Sequence, residues 1–356
     1  MLLSRISSTS IKADTTSIAA GASVAAIAAY LLLRKARSGK TKADPNDERK
    51  RLVVVSGCDR GFGRVLVEKL SQNPRYMVLA LTLKEESATM LNKLAPESLV
   101  AMKCDVTSDV DIARMEKKAA TMVVDPNIVL HTIVNNAGIL DPGDFVWFRD
   151  ISSYKKTMDV NFFGCLRVTK ALLPLMINTS MSLPEGARIL NLSSIIGKLS
   201  WGNMSTYSAS KYAVEAWSDS LRMELSTLNI CVVKIRPSAI KTDMMREYFD
   251  RIDFNLENAP KDVKAMYDAE KVREWKNTNL AEHESRDMTG NQSAGIVVGT
   301  LAKFIETDIE KLPASKWVGA GANTVFRLIS WLPESSKDKI FMRTPFYVPP
   351  IHPKQT

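Results

Sequence analysis

The chain has 356 residues, of which 45% are hydrophobic, so it can bury one large α/β core or two ordinary ones. Its formal charge of +9 permits an acidic partner, but five of the basic residues lie in one short run at positions 34–42. No aromatic-interleaved basic stripe follows, which argues against nucleic-acid binding. The four cysteines are scattered singly and the three histidines complete no zinc spacing, so we expect buried thiols in a reducing compartment and no metal site.

The first segment in chain order, residues 1–50, precedes the predicted folded domain. Residues 15–33 carry no charge, and as a helix they would span about 28 Å, just short of a bilayer's roughly 30 Å hydrocarbon core. The basic run that follows would keep the rest of the chain on the cytoplasmic side of a membrane. We favour an anchor, but two alternatives stay open: residues 1–12 resemble an acid-free mitochondrial presequence, and the segment also fits a cleaved secretory signal.

From residue 51 onward, short β-branched runs alternate with amphipathic helical stretches. Strands are predicted at 52–56, 76–83, 99–105, 130–136, 188–194 and 230–237, with helices between them. Continuous apolar strands alternating with helices are typical of a parallel sheet covered on both faces. The expected fold class is α/β, a doubly wound, Rossmann-like parallel sheet.

A glycine-rich turn follows the first predicted strand. Gly57, Gly61 and Gly63 lead into a helix that extends to Leu70. Such a turn places backbone N–H groups and the positive end of a helix beside a pyrophosphate. The spacing G-x-x-x-G-x-G differs from the G-x-G-x-x-G dinucleotide fingerprint, so the pattern alone leaves the ligand open.

The end of the second predicted strand bears on the choice of dinucleotide. An acidic residue there binds the ribose 2′-hydroxyl of NAD, whereas a basic residue accommodates the 2′-phosphate of NADP. Lys84 favours NADP, and Glu85 and Glu86 favour NAD. NAD and NADP both stay open, with a slight preference for NAD.

Residues 238–290 contain many charges and methionines and no strand pattern. We expect a helical excursion over the carboxyl edge of the sheet, either a solvated insertion or a substrate lid. A helix is predicted at 293–306, and residues 321–333 form an apolar helical tail that packs on the core, a partner or a membrane. The predicted organisation is an N-terminal segment at 1–50, a dinucleotide-binding domain at 51–310 and a C-terminal extension at 311–356.

Tyr207 and Lys211 lie four residues apart at the start of a predicted helix, which places both side chains on one face. An ordinary tyrosine, with a pKa near 10, is a poor base at neutral pH. An ammonium about 4 Å away favours the phenolate by up to about 4 kcal/mol at an effective dielectric constant near 20. The pair is therefore a candidate proton-transfer group for the oxidation of an alcohol.

These motifs together resemble the short-chain dehydrogenase/reductase family, from about residue 51 to 306. The resemblance rests on Gly57-x-x-x-Gly61-x-Gly63, Cys104-Asp105-Val106, Asn135-Asn136-Ala137-Gly138, Asn161 at the opening of a helix, Ser194 and Tyr207-x-x-x-Lys211. It implies a catalytic tetrad of Asn161, Ser194, Tyr207 and Lys211, in which Lys211 also holds the nicotinamide ribose and Asn161 supports a water chain. The implied cofactor-binding residues are Gly57, Asp59, Gly61, Phe62, Gly63, Asp105, Val106, Asn136, Ala137, Gly138, Tyr207, Lys211, Pro237, Ile240 and Thr242.

One position departs from the family pattern. The family has Pro-Gly after its sixth strand, and this chain has Pro237-Ser238. A positive φ at residue 238 would cost more free energy for serine than for glycine. The expected backbone contacts of Ile240 and Thr242 with the nicotinamide carboxamide are therefore less secure than the tetrad.

The resemblance extends to a membrane-associated branch that includes retinol, 17β-hydroxysteroid and mitochondrial (R)-3-hydroxybutyrate dehydrogenases. It implies an enzyme that interconverts a small-molecule alcohol and its carbonyl compound with NAD or NADP. We favour a lipophilic substrate, such as a steroid or retinoid, and a place at the endoplasmic reticulum membrane with the catalytic domain in the cytoplasm. The alternatives are a mitochondrial hydroxybutyrate dehydrogenase and a non-enzymatic nucleotide-binding scaffold; homo-oligomers are possible by analogy with the family.

Overall fold

The computed structural model describes residues 47–95, 97–140, 150–238, 240–285 and 293–344. The described residues form one compact unit. The predicted anchor at 15–33 lies outside the described residues, so that interpretation stays a prediction. The predicted domain boundaries near 50 and 310 stay predictions as well.

The centre of the molecule is a parallel sheet of seven strands in the order β3-β2-β1-β4-β5-β6-β7. The strands are β1 Lys50–Ser56, β2 Tyr76–Thr82, β3 Leu99–Lys103, β4 Ile128–Asn135, β5 Ala187–Leu192, β6 Ile230–Pro237 and β7 Ser315–Val318. The chain order reverses direction between β1 and β4, which is where a doubly wound sheet opens a crevice at its carboxyl edge. The predicted fold class is confirmed.

The α-helices connect these strands and cover both faces of the sheet. They are α1 Gly61–Ser71, α2 Glu85–Asn92, α3 Asp109–Met122, α4 Ile151–Met158, α5 Gly164–Ser180, α6 Ser205–Glu224, α7 Asp243–Asp250, α8 Ile252–Glu257, α9 Lys261–Lys264, α10 Ala269–Ser285, α11 Ala294–Glu306, α12 Arg327–Ile329 and α13 Glu334–Phe341. A π-helical segment, Asp159–Phe163, joins α4 to α5.

Alternation along the strands builds two apolar cores, one on each face of the sheet. In β1, Val53 and Val55 point to the core shared with α1 and α11, whereas Leu52 and Val54 point to the core shared with α3, α5 and α6. Successive side chains of a strand point to opposite faces, so a strand buried on both sides is apolar throughout. This two-sided burial explains why the strands were predictable as continuous apolar runs.

One helical run among the described residues, Ile151–Ser180, is long and apolar enough by length and composition to cross a membrane. Its Val168, Leu172 and Met176 side chains are buried in the core beneath the sheet. We therefore interpret it as a core helix of the folded domain. It lends no support to a membrane span.

The structure differs from the sequence predictions in three places. Strand β7 was not predicted, and the tail contains a second helix, α13, beyond the predicted 321–333 segment. The expectation that Asn161 opens a helix is wrong, because Asn161 lies within the π-helical segment in the middle of a continuous helical run. The residues after β6 do form a helical excursion, made of α7, α8, α9 and α10.

Candidate active site

A cavity of about 950 Å³ opens at the carboxyl ends of the parallel strands. This volume lies at the upper end of the roughly 300–1,000 Å³ usual for ligand pockets. Its walls come from the loops after β1, β2, β3, β4, β5 and β6, from the start of α6, and from the helical excursion. The cavity is therefore where the sequence motifs at the strand ends converge.

The glycine turn between β1 and α1 forms one wall. Gly57 and Gly61 have φ angles of 72° and 61°, which glycine adopts without a steric penalty. A Cβ atom at Gly57 would lie 2.7 Å from the Cα of Ala137, and one at Gly63 would lie 2.3 Å from the carbonyl oxygen of Gly57. The turn thus requires glycine for its conformation at Gly57 and Gly61 and for close approach at Gly57 and Gly63.

Asn136 connects this turn to the end of β4. Its Nδ2 donates to the carbonyl oxygens of Ser56 and Gly57, at 2.9 Å each. The Ser56 hydroxyl accepts from the backbone N–H groups of Asn136 and Ala137, at 3.1 Å each. These four hydrogen bonds fix the two strand ends next to each other at the point where the chain order reverses.

An acidic side chain lies at the end of β2, although it comes from the glycine turn. The Asp59 carboxylate accepts from the backbone N–H groups of Leu83 and Lys84, at 2.8 and 3.0 Å. Asp59 and Lys84 both line the cavity. An acidic and a basic residue therefore line the part of the cavity where a Rossmann-type fold holds the adenosine ribose.

The loop after β3 is ordered by its own side chains. Asp105 accepts from the backbone N–H and the hydroxyl of Thr107, at 2.9 and 2.8 Å. Its backbone N–H donates to Asp111 at 2.9 Å, and this hydrogen bond lowers the pKa of the Asp111 carboxyl. Val106 lines the cavity beside Asp105, so the loop presents an apolar surface and a carboxylate to the cavity.

Tyr207 and Lys211 share the cavity-facing side of α6. The Lys211 Nζ atom lies 5.6 Å from the centroid of the Tyr207 ring and donates to the carbonyl oxygen of Leu192 at 2.8 Å. Ser194 follows β5, and its hydroxyl oxygen accepts from the backbone N–H of Ile196 at 3.2 Å. Because that bond uses the oxygen as acceptor, the Ser194 O–H can still donate into the cavity.

Asn161 is fully buried behind this wall. Its Oδ1 accepts from the backbone N–H of Ile139 at 2.7 Å, and its Nδ2 donates to the Ile139 carbonyl at 2.9 Å and to the Ser210 hydroxyl at 3.0 Å. A Cβ atom at Gly138 would lie 3.3 Å from Asn161 Oδ1. The amide thus ties the loop after β4 to α6, and the π-helical turn aims the side chain inward.

The loop after β6 closes the cavity from the other side. Ser238 does not adopt a positive φ, so the backbone strain expected at this position does not arise. Its backbone N–H donates to the carbonyl of Val318 at 2.8 Å. Pro237, Ile240 and Thr242 all line the cavity, and Thr242 lies immediately before α7.

The residues at this site fit a dinucleotide. Helix α1 begins after Arg60 without a side-chain cap, so its first backbone N–H groups can bind phosphate oxygens beside Gly61. The buried hydroxyls of Ser193 and Ser238 line the cavity and have no hydrogen-bond partner among the described residues. Such groups are expected to meet a polar ligand.

Two predicted site residues, Gly63 and Asn161, are not among the residues that line the cavity; Gly63 lies beneath the glycine turn and Asn161 behind Gly138. The structure brings all the other predicted residues to the cavity wall. Sequence reasoning predicted a helical excursion over this edge of the sheet, but it named none of the side chains by which the excursion and the tail line the cavity. These are Met244, Met245, Tyr248, Phe249, Trp275, Asn279, His283 and Phe326. The four-residue spacing of Trp275, Asn279 and His283 was a usable signal.

Comparison with curated proteins gives relatives of three substrate classes. The chain is 34% identical to 17-beta-hydroxysteroid dehydrogenase type 6 of Bos taurus over 60% of this chain and 64% of that protein. It is 33% identical to retinol dehydrogenase 7 of Rattus norvegicus over 70% of this chain and 75% of that protein. It is 31% identical to the mitochondrial D-beta-hydroxybutyrate dehydrogenase of Bos taurus over 52% of this chain and 53% of that protein.

Solved structures and a family model agree with this fold. A short-chain dehydrogenase from Streptomyces avermitilis has a TM-score of 0.59 at 20% identity, covering 82% of this chain and 94% of its own. A 3-ketoacyl-(acyl-carrier-protein) reductase from Brucella melitensis, solved with NADH, has a TM-score of 0.58 at 16% identity, covering 75% and 95%. At these identities the likeness shows the fold alone. The short chain dehydrogenase model matches residues 51–253, and the chain belongs to the short-chain dehydrogenase family.

Proposed function

We propose that this protein is a nicotinamide-dependent oxidoreductase that interconverts a lipophilic alcohol, such as a steroid or retinoid, and its carbonyl compound. The observation that supports this proposal is one cavity lined both by the glycine turn and by Ser194, Tyr207 and Lys211. Curated relatives that act on steroids and retinol at 33–34% identity add support.

In the proposed mechanism, a nicotinamide cofactor held by the glycine turn and Lys211 would supply the hydride chemistry, as hydride acceptor for oxidation of the alcohol and hydride donor for reduction of the carbonyl compound. Tyr207 takes the hydroxyl proton during oxidation and gives it back during reduction. Ser194 donates a hydrogen bond to the substrate oxygen and orients it toward the phenol. Lys211 has three N–H donors, of which one is engaged by Leu192, so two are left to hold the nicotinamide ribose beside Tyr207.

Asn161 acts in this proposal as a positioning residue. Its hydrogen bonds to Ile139 and Ser210 hold the loop after β4 and the start of α6 in register. Both amide groups are engaged by protein partners, so its support of a water chain stays a separate prediction. The single-turnover rate and the cofactor affinity of the Asn161→Ala variant, measured together, would separate the positioning role from the support of a water chain.

NAD is the proposed cofactor. The support is the Asp59 carboxylate at the end of β2, because a negative charge beside the ribose opposes a 2′-phosphate. Asp59→Asn should raise the ratio of kcat/KM for NADP to kcat/KM for NAD by about tenfold, whereas Glu86→Gln, an exposed change beyond β2, should leave it within about twofold. An unchanged ratio in Asp59→Asn would remove the basis for this choice.

The second candidate substrate is (R)-3-hydroxybutyrate. Its support is the mitochondrial relative at 31% identity and the presequence-like residues 1–12. The apolar inner side of the helical excursion favours the lipophilic class, because residues such as Tyr248 and Phe249 form a buried cluster over the cavity. We propose that α7, α8, α9 and α10 are the substrate lid.

The test is the absorbance at 340 nm of full-length protein with NAD or NADP and three alcohols: all-trans-retinol, a 17β-hydroxysteroid and (R)-3-hydroxybutyrate. A signal with retinol or the steroid supports the proposed function. A signal with hydroxybutyrate alone selects the second candidate and a mitochondrial address for the N-terminus. Cofactor binding without turnover of any alcohol across a broad panel would contradict an enzymatic role and favour a scaffold.

Two further parts of the proposal concern partners. We propose membrane attachment through residues 15–33 at the endoplasmic reticulum, tested by whether alkaline carbonate extracts the protein from microsomes. We also propose pairing of two copies through the side of the molecule formed by α5 and α6, where Tyr212 is 41% exposed. Sedimentation equilibrium of the detergent-solubilised protein would test the pairing.

A further inference from the structure

Helix α10 presents three polar-tipped side chains to the cavity. Trp275, Asn279 and His283 are spaced by four residues, so they lie on one face of the helix, and all three line the cavity. Asn279 and His283 are 2% and 3% exposed. The mechanism proposed above uses none of them.

The surroundings of this face are apolar and aromatic. Phe249 lies edge-on to Trp275, with ring centroids 6.2 Å apart, and its centroid is 6.3 Å from that of His283. Leu140, Tyr248 and Met244 belong to the same cluster. Polar tips in such a wall carry selectivity, because hydrogen bonds are stronger and unmatched groups are costlier away from water.

One of these tips has an unused donor. The Trp275 Nε1 atom is buried and has no hydrogen-bond partner among the described residues. An indole N–H is a donor only, so its partner must be an acceptor. A buried donor without a partner destabilises the protein, which is a reason to expect an acceptor from a ligand in the cavity.

The position of this face is fixed by ion pairs within the excursion. Lys276 pairs with Asp253 of α8, and Arg273 lies 3.8 Å from the same carboxylate. The Lys241 ammonium donates to the carbonyl of Glu284 near the end of α10, at 2.6 Å. The polar face is therefore held rigidly enough to discriminate between ligands.

The charges on α10 indicate a neutral acceptor. A carboxylate is recognised by Arg or Lys, with the guanidinium favoured for its paired donors. The three cations of α10 all engage carboxylates within the excursion: Lys271 with Asp268, and Arg273 and Lys276 with Asp253. The face that lines the cavity offers the neutral indole N–H of Trp275 instead of a cation, whereas the Asn279 amide donates within the helix, to the Trp275 carbonyl at 2.8 Å.

We infer that the Trp275 N–H donates to a neutral oxygen at the end of the substrate remote from the reacting carbon. The inference rests on the proposed function and narrows its substrate class. The substrate is an apolar body with a hydroxyl or carbonyl at each end, as in a doubly oxygenated steroid. A retinoid offers no second oxygen to Trp275, and hydroxybutyrate offers a carboxylate.

The test compares two ligands that differ in one oxygen: an androstane with hydroxyls on both C3 and C17, and the same androstane with only the C17 hydroxyl. Equilibrium dialysis of full-length protein with saturating NADH or NADPH measures both dissociation constants without hydride transfer. The diol should bind about 5- to 150-fold more tightly than the mono-alcohol, because only the diol satisfies the buried donor. Dissociation constants within twofold of each other in the wild-type protein would overturn the inference, with no variant required.

Trp275→Phe keeps the aromatic ring and removes the N–H donor. It should bring the two dissociation constants within about threefold while leaving mono-alcohol affinity within about twofold. The matched control is Trp331→Phe, since Trp331 is 81% exposed and outside the cavity wall; it should keep the wild-type ratio. An unchanged ratio in Trp275→Phe would overturn the inference.

Turnover at 340 nm separates this inference from the proposed function. A protein that prefers the diol in dialysis but never changes the absorbance supports the Trp275 subsite and contradicts the proposed function. A protein that oxidises both alcohols with equal kcat/KM supports the proposed function and contradicts the subsite.

Discussion

Glu215 carries the buried charge that joins the Tyr207 helix to the sheet, and its removal is the most informative stability test. Glu215 lies one turn after Lys211 on α6 and accepts two hydrogen bonds, at 2.7 Å each, from Arg236 of β6. Lys234 lies 3.3 Å from the same carboxylate. Glu215 and Arg236 are 3% and 5% exposed, so water screens the pair weakly.

We predict that Glu215→Ala lowers the free energy of unfolding by about 3–5 kcal/mol, the usual cost of leaving one partner of a buried ion pair uncompensated. Lys234 would keep Asp219 at 2.5 Å, whereas Arg236 would keep the Ser315 hydroxyl at 3.0 Å and the Trp317 ring at 5.1 Å. The neutral contacts of Arg236 with Ser315 and Trp317 cannot replace the lost carboxylate. The double variant Glu215→Leu/Arg236→Met should lose less stability than Glu215→Leu alone, since it leaves no unpaired guanidinium.

Urea unfolding followed by circular dichroism measures these differences, with the slope against urea expected to stay constant. The control is Arg222→Ala, which removes a largely exposed ion pair with Asp219 on the same helix and should cost at most about 1 kcal/mol. A loss below about 1 kcal/mol in Glu215→Ala would refute the reasoning. A double variant less stable than Glu215→Leu would refute it as well.

Two further predictions concern the glycine turn and the thiols. Gly63→Ala should weaken NADH binding, measured by fluorescence titration, by at least about tenfold, because its Cβ would lie 2.3 Å from the Gly57 carbonyl; unchanged affinity would contradict the close packing of the turn. Burial raises the pKa of the Cys104 thiol to about 12 and the pKa values of the Cys165 and Cys231 thiols to about 11, so all three stay protonated at pH 8. Iodoacetamide should therefore alkylate them at least about 100-fold more slowly in the native protein than in denaturant. Equally fast labelling of the native protein would contradict that burial.

The central sheet was predictable because burial on both faces leaves a local signal. All six predicted strands are present, since a strand covered by helices on both sides must be apolar at nearly every position. Strand β7 was not predictable in the same way: Ser315–Val318 has only two buried residues, and its pairing with β6 depends on tertiary structure. Sequence pattern therefore reports the centre of the sheet better than its edge.

The candidate site was predictable where its residues follow strands. Parallel strands bring their carboxyl ends to one edge, so Asn136, Ser194 and Tyr207 could be expected to converge. The inward aim of Asn161 depends on a π-helical turn, which has no clear signature in the sequence. The orientation of α10 depends on ion pairs and aromatic contacts between helices, so the spacing of Trp275, Asn279 and His283 could indicate a shared helix face but not that this face lines the cavity.

The most direct test of the proposed chemistry compares two Tyr→Phe variants on the same helix. Tyr207 lines the cavity and Tyr212 is 41% exposed, so only the first change removes a hydroxyl from the site. With the best alcohol from the substrate panel, Tyr207→Phe should lower kcat by about 10²- to 10⁴-fold while leaving the dissociation constant for NADH within about twofold. Tyr212→Phe should keep kcat within about twofold, and a Tyr207→Phe variant that turns over as fast as Tyr212→Phe would contradict the assignment of Tyr207 as the proton-transfer group.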